Sequence, residues 1–459
     1  MEKLARYLPA EDAAQLLREI AGGLGADEVA VVQNLDYVYA PYELYPLAPK
    51  VMGPLDRIAA FAVDMDGTST TTEPLCLHAL EYMVRRFTAR PAPEDWSGLD
   101  PVLDYPFVVG NSNFRHTEFL VGRYGGDMKL EALRDAFFEA LIWTLARMED
   151  PHRRKDIRLT AVNCGLGPML DDPGFQELIA GGAVTDDNPA ELAGPLIARF
   201  GGLFQAGTDA ALVGAAMDVY YHRYHLILSM VARGEGERLS RELLGGRRLI
   251  EPMPGYAVFL ALIKGWLGEG AAALAPALLA ALPADHPLRD LPEAAAASLA
   301  ALGRRFAERP ARIGLVTASI AFEAHATIAE IFRGMREDVA TWPLPAAKVE
   351  AIRNRLADYR TVYDGFVTAT DSSEARLKPH RDLFAIALYQ MAIPREDYAR
   401  CIGLEDSEPG IISLRAAGIG CAVALPNHDT TRQNYHAAAH TLAGGLPELI
   451  LARNLLLKR

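Results

Sequence analysis

The chain has 459 residues, 50% of them hydrophobic and 23% charged, with a formal net charge of −13. That length exceeds one ordinary core, so two or three domains are expected. The acidic balance speaks against a nucleic-acid-binding protein, which carries a basic face, but leaves room for a small phosphorylated substrate held by local cations and a metal.

The cysteines Cys76, Cys164, Cys401 and Cys421 are far apart and form no CxxC pair. Neither a zinc site nor a disulfide framework is signalled, and they read as reduced core thiols. The segment 1–9 has no apolar stretch of the secretory kind, and no run approaches about 18 apolar residues. The expectation is a cytoplasmic chain with no membrane partner. Nothing in the sequence assigns an oligomeric state.

In chain order, residues 1–57 read as an N-terminal extension, with an amphipathic helix over 12–20 and an irregular Tyr/Pro-rich stretch over 37–54. Residues 58–63 form a short apolar run stopped by Asp64-Met65-Asp66-Gly67-Thr68, as a buried parallel strand does. Helical spacing follows over 73–87, 129–148 and 210–232. The Ala-rich stretch 271–302, interrupted by Pro283, Pro287 and Pro292, predicts two helices with a loop between them. Further strands are predicted at 312–317, 365–370, 401–404 and 420–425. Helices are predicted at 381–391 and 410–417, and a charged helical insert at 333–359. Short apolar strands alternating with helices argue an α/β class with a parallel sheet covered on both faces. The strand C-termini then share one edge, where a ligand sits.

Two carboxylates, Asp64 and Asp66, stand where the first strand leaves the sheet. One can attack phosphorus while the other handles a proton. Gly67 permits a sharp turn there. Thr317 ends the next predicted strand, in Gly-Leu-Val-Thr-Ala-Ser, and offers a hydroxyl to a phosphate oxygen; Ser319 follows two residues on. Lys378 precedes a helix, and Glu405-Asp406 follow a strand in Cys-Ile-Gly-Leu-Glu-Asp.

Together and in this order, these segments resemble the four motifs of the haloacid dehalogenase superfamily: a strand ending in DxDGT, a strand ending in Thr or Ser, a Lys before a helix, and an acidic pair after a strand. Thr72-Glu73-Pro74-Leu75 and Gly403-Leu404-Glu405-Asp406-Ser407-Glu408-Pro409-Gly410-Ile411 resemble the β-phosphoglucomutase-like branch. The resemblance covers about 58–75 and 250–450. It implies a Rossmann-like parallel core, 58–75 and 248–459, with an unusually large helical cap inserted at 76–247. It also implies Asp64 as nucleophile and Asp66 as general acid and base. Thr317, Ser319 and Lys378 would bind the transferring phosphoryl group. Mg²⁺ would be held by Asp64, Asp66, Glu405 and Asp406, since this ion prefers hard oxygen ligands. In the cap, the polar segment Gly110–Thr117 offers Arg115 to grip an anionic substrate group and His116 to titrate near neutral pH.

The expected function is hydrolysis of a small phosphorylated metabolite through an aspartyl-phosphate. The runner-up within the family is a phosphomutase. A catalytically silent binding protein on the same fold is the alternative from another class.

Overall fold

A computed structural model describes residues 9–33, 39–90, 96–108, 113–372, 376–427, 430–452, 456 and 458, the side chains of 106 and 113–115 excepted. The chain forms two compact units, Met1–Thr71 with Glu251–Arg459, and Thr72–Ile250.

The first unit is α/β. Its strands are β1 (Glu28–Gln33), β2 (Tyr42–Leu47), β3 (Ala60–Asp64), β4 (Thr70–Thr71), β5 (Glu251–Pro252), β6 (Arg312–Val316), β7 (Gly365–Val367), β8 (Cys401–Glu405), β9 (Cys421–Ala424) and β10 (His440–Thr441). Six of them make one sheet in the order β10-β9-β8-β3-β6-β7, and all of its pairings are parallel. The strand β3 lies between β6 and β8, with Asp64 opposite Val316. Every residue of β3, β8 and β9 is buried, which explains why they read as continuous apolar runs rather than alternating ones.

The two-residue period of β3 separates its faces. Phe61 meets Phe259 and Phe306, with ring centroids 5.1 and 6.3 Å away. Ala60 and Ala62 belong to the opposite layer with Leu383, Phe384, Ile411 and Leu414. The latter come from the helices Asp382–Gln390 and Glu408–Ala416. Burying each large apolar side chain contributes about 1.5–3 kcal/mol, so both layers hold β3 firmly in place.

The structure departs from the sequence reading in several places. The stretch 37–54, read as irregular, contains β2, paired antiparallel with β1, Glu28 opposite Leu47. Pro46 hid it, because proline is compatible only with an edge position. The helical insert read over 333–359 is broken. Helix Ala321–Val339 ends, and a second begins at Ala346, after Pro343 and Pro345. The strand β10, two residues long, is too short to carry a pattern. The Ala-rich stretch does give helices Ala275–Ala281 and Pro292–Glu308, with a loop between them.

The β1–β2 pair is tied to the core through Arg415, which is fully buried. Its guanidinium donates to Asp27 Oδ1 at 2.8 Å and to the Ala48 carbonyl, and contacts Glu28. The Glu28 carboxyl is held below its ordinary range by that hydrogen bond to Arg415.

The second unit is helical. Its longest helices are Glu73–Phe87, Leu130–Arg147 and Asp209–Ala232. The last two are buried along most of their length, and Asp209–Ala232 packs on both of the others. The starts follow capping rules. Asp150 and Asp172 each accept a backbone N–H three residues on, and a proline follows each at the first helical position. Among the described residues no helix is long and apolar enough to cross a membrane.

Replacing Arg415 with Met should strand the Ala48 carbonyl and free the β1–β2 pair. Because Asp27 and Glu28 still reach water, the loss should be roughly 2–3 kcal/mol rather than more. Denaturant melts of the two proteins check this; equal midpoints would show that Arg415 does not anchor the pair.

Candidate active site

The strand β3 delivers Asp64 to the sheet's C-terminal edge, and the chain then turns sharply. Ser69 and Thr70 donate their backbone N–H groups to the Met65 carbonyl at 2.9 and 3.0 Å. Ser69 Oγ donates to the Asp64 carbonyl at 2.6 Å. Gly67 has φ +83°, and a Cβ there would stand 2.3 Å from Asp406 Oδ2. Only glycine allows this turn so close to the acid.

Four of the sequence-identified segments come together around Asp64. Lys378 Nζ contacts the Asp64 carboxylate and donates to Glu405 Oε1 at 2.7 Å. Carboxylate oxygens of Asp64, Glu405 and Asp406 all lie within 4.8 Å of one another, and all three residues are buried. Asp66 points elsewhere. Its Oδ2 accepts from Thr317 Oγ1 at 2.9 Å and Ser319 Oγ at 3.2 Å. The backbone of Thr317 is fixed by its N–H donating to the Val367 carbonyl at 2.9 Å.

The two adjacent acids after β8 are held differently. Glu405 Oε2 accepts from the Ser407 backbone N–H at 2.7 Å and its hydroxyl at 2.8 Å, at the start of helix Glu408–Ala416. A Cβ on Gly410 would fall 1.7 Å from Glu405 Oε1, so the carboxylate occupies that residue's missing side-chain space. Asp406 Oδ2 accepts from Asn427 Nδ2 at 3.0 Å. The same amide donates to the Gly67 carbonyl at 3.1 Å. Asn427 thus clips the turn after β3 to the acid after β8. The hydroxyl of Tyr435 contacts the Asp406 carbonyl as well.

Asn427 and Tyr435 escaped the sequence reading. The available signal was Pro426-Asn427, a turn pair directly after a buried strand. Arg115 and His116 lie on helix Asn113–Tyr124 of the other unit. The Arg115 side chain lies outside the described residues, and His116 is buried.

Four carboxylates surround one ammonium here. Burial pushes the Asp64 carboxyl well above its usual range; Lys378 opposes this, while Glu405, Asp406 and Asp66 add to it. Burial and then Glu405 do the same to Asp406. Burial works against the Lys378 charge, but Asp64 and Glu405 outweigh it and raise its pKa. Asp66 is raised by burial against the hydrogen bond from Thr317. Clustered hard oxygens with surplus negative charge fit a Mg²⁺-type ion, which prefers carboxylate oxygens.

The raised carboxyls have a stability consequence. The folded protein retains protons that the unfolded chain releases at about pH 4, so these groups cost stability as pH rises through their raised values. Thermal melts in EDTA should show wild-type stability falling through that window, and Asp406→Asn should fall less steeply. An equal or steeper fall in the variant contradicts the assignment.

No family model matches the chain, and no curated protein matches it. Among solved structures, CbbY from Rhodobacter sphaeroides in complex with phosphate is similar at 14% identity, covering 85% of this chain and 96% of that one, with a TM-score of 0.37. A haloacid dehalogenase hydrolase from Entamoeba histolytica gives 10% identity, 84% and 93% coverage and a TM-score of 0.31. A β-phosphoglucomutase from Clostridium difficile gives 14%, 84%, 92% and 0.28. Likeness at this level transfers no activity. A helical unit inserted in the chain after the strand that carries Asp64, and a six-stranded parallel sheet completing the core, give the chain an α/β fold.

Proposed function

We propose that the protein is a Mg²⁺-dependent phosphohydrolase acting on a small phosphorylated metabolite through an aspartyl-phosphate on Asp64. The observation that carries this reading is the Asp64 carboxylate, buried at the end of β3, touching Lys378 and grouped with Glu405 and Asp406.

Asp64, Glu405 and Asp406, with the Asp66 backbone carbonyl, would hold the Mg²⁺. When bound, the ion supplies charge neutralisation that lets a phosphate ester approach four carboxylates. Lys378 and the hydroxyls of Thr317 and Ser319 would bind the phosphoryl oxygens. Arg115 and His116 stay proposed as substrate-binding side chains.

In the first step an Asp64 oxygen forms a bond to phosphorus as the ester P–O bond breaks. Asp66 gives its proton to the leaving oxygen. Burial raises its carboxyl above the ordinary aspartate value, so it holds its proton more firmly than a free aspartate, as a donor needs. In the second step Asp66 takes a proton from water, the water oxygen bonds to phosphorus, and the bond to Asp64 breaks. Inorganic phosphate leaves and both aspartates return to their starting states. Most of the rate then comes from positioning and electrostatic stabilisation. A phosphomutase shares the first step and replaces water by a sugar hydroxyl, so analysing the product separates the two.

Turnover of an aryl phosphate should cease in excess EDTA. Asp64→Asn should form no phosphoenzyme. Asp66→Asn should be slower by roughly 10²–10⁴-fold yet accumulate phosphoenzyme, because an aryl leaving group needs little acid help. Rapid-quench labelling with mass spectrometry reads both. Label on any residue other than Asp64, or full activity in EDTA, refutes the reading.

A further inference from the structure

Arginines sunk between the helices of the second unit are generally neutralised. Arg86 makes a bidentate pair with Glu139 at 2.7 and 2.8 Å. Arg153, itself buried, meets Asp218 at 2.5 Å. Arg223, half-buried on helix Asp209–Ala232, is different. Among the described residues no carboxylate lies within ion-pair distance of it. Its Nε and Nη2 sit 3.3 and 3.1 Å from His78 Nε2, which serves as their acceptor. Its guanidinium lies 5.0 Å from the centre of the Tyr82 ring. Both partners come from helix Glu73–Phe87.

A second cation adds to the imbalance. Arg85, on the same helix, is buried, and among the described residues its one carboxylate partner, Glu81, is 3.9 Å away. The other oxygen of Glu81 is occupied by the Leu99 backbone N–H at 3.0 Å. Burial and the nearby Arg85 charge weaken protonation of Arg223, and no acid offsets them beyond the Tyr82 phenol. Burial, Arg223 and Arg85 together push His78 down to about 4, so it is a neutral acceptor at physiological pH.

A partly buried cation without a counter-charge costs stability, and a protein gains nothing from it unless an anion arrives. The arginine is also preorganised. His78 and Tyr82 fix the plane of a group with five N–H donors, and the Nη1 donors have no partner among the described residues. We infer that Arg223, Arg85, His78 and Tyr82 form a binding site within the helical unit for a compact oxyanion, either a carboxylate or a phosphate group. The inference does not rest on the phosphohydrolase reading, since the site belongs to the helical unit alone.

Calorimetric titration of the full-length protein in EDTA, with inorganic phosphate and separately with succinate, tests it. Removing the metal leaves Asp64 and its acidic neighbours repelling anions, so saturable binding reports on the helical unit. At least one probe should bind, and Arg223→Met should weaken it tenfold or more. Histidine side-chain NMR should show the His78 resonance moving with the anion. Without anion, Arg223→Met should melt at or above the wild-type temperature, because an unpaired charge has been removed. Absence of saturable binding by either probe overturns the inference. So does undiminished binding by the variant, an unmoved His78 resonance, or a variant that melts several degrees lower without anion.

Discussion

The site depends on one ammonium group. Lys378 reaches from the loop before helix Asp382–Gln390 and contacts carboxylates from two neighbouring strands, Asp64 on β3 and Glu405 on β8. Without it, the C-terminal edge of the sheet would gather buried negative charge with nothing to hold it. Such a cluster is tolerated only when cations compensate it, because desolvation and mutual repulsion both favour protonation. The lysine supplies part of that compensation.

The two acids after β8 show how sequence neighbours acquire different surroundings. Glu405 turns back under helix Glu408–Ala416, into the space that Gly410 leaves open, where Ser407 also donates to it. Asp406 turns outward to Asn427 and the Gly67 turn. The step from one residue to the next reverses side-chain direction at the end of a strand. One acid is therefore locked into the protein, and the other stands beside the turn that carries Asp66.

Much of this was legible from residue order. The strands β3, β6, β8 and β9 are apolar runs ending in turn or polar residues, so their burial fixed both their type and their edge. Asp64, Thr317 and Glu405-Asp406 follow from being strand ends. Lys378 could be placed only through its motif, because a lone lysine before a helix carries no pattern. Asn427 was marked in the sequence only as part of a turn pair, because its role is made by proximity across the sheet, not by spacing along the chain. The β1–β2 pair was missed because its proline and its anchor, Arg415, lie far apart in sequence and meet only in the folded unit. The helical unit was legible as helices, whereas its ion pairs come from contacts that periodicity does not encode.

The position of β3 also sets a timetable for synthesis. This strand pairs on one side with β6, where Ala60 lies opposite Arg312, and on the other with β8, where Ala60 lies opposite Cys401. The whole helical unit is translated between β3 and its first sheet neighbour. At ordinary elongation rates β3 must wait on the order of tens of seconds for that neighbour to leave the ribosome. Through that interval a strand of Ala, Phe, Ala and Val has no sheet edge to join, an exposed apolar segment of the kind that invites wrong pairing. The helical unit, built from contacts within Thr72–Ile250, can fold while the sheet is still incomplete.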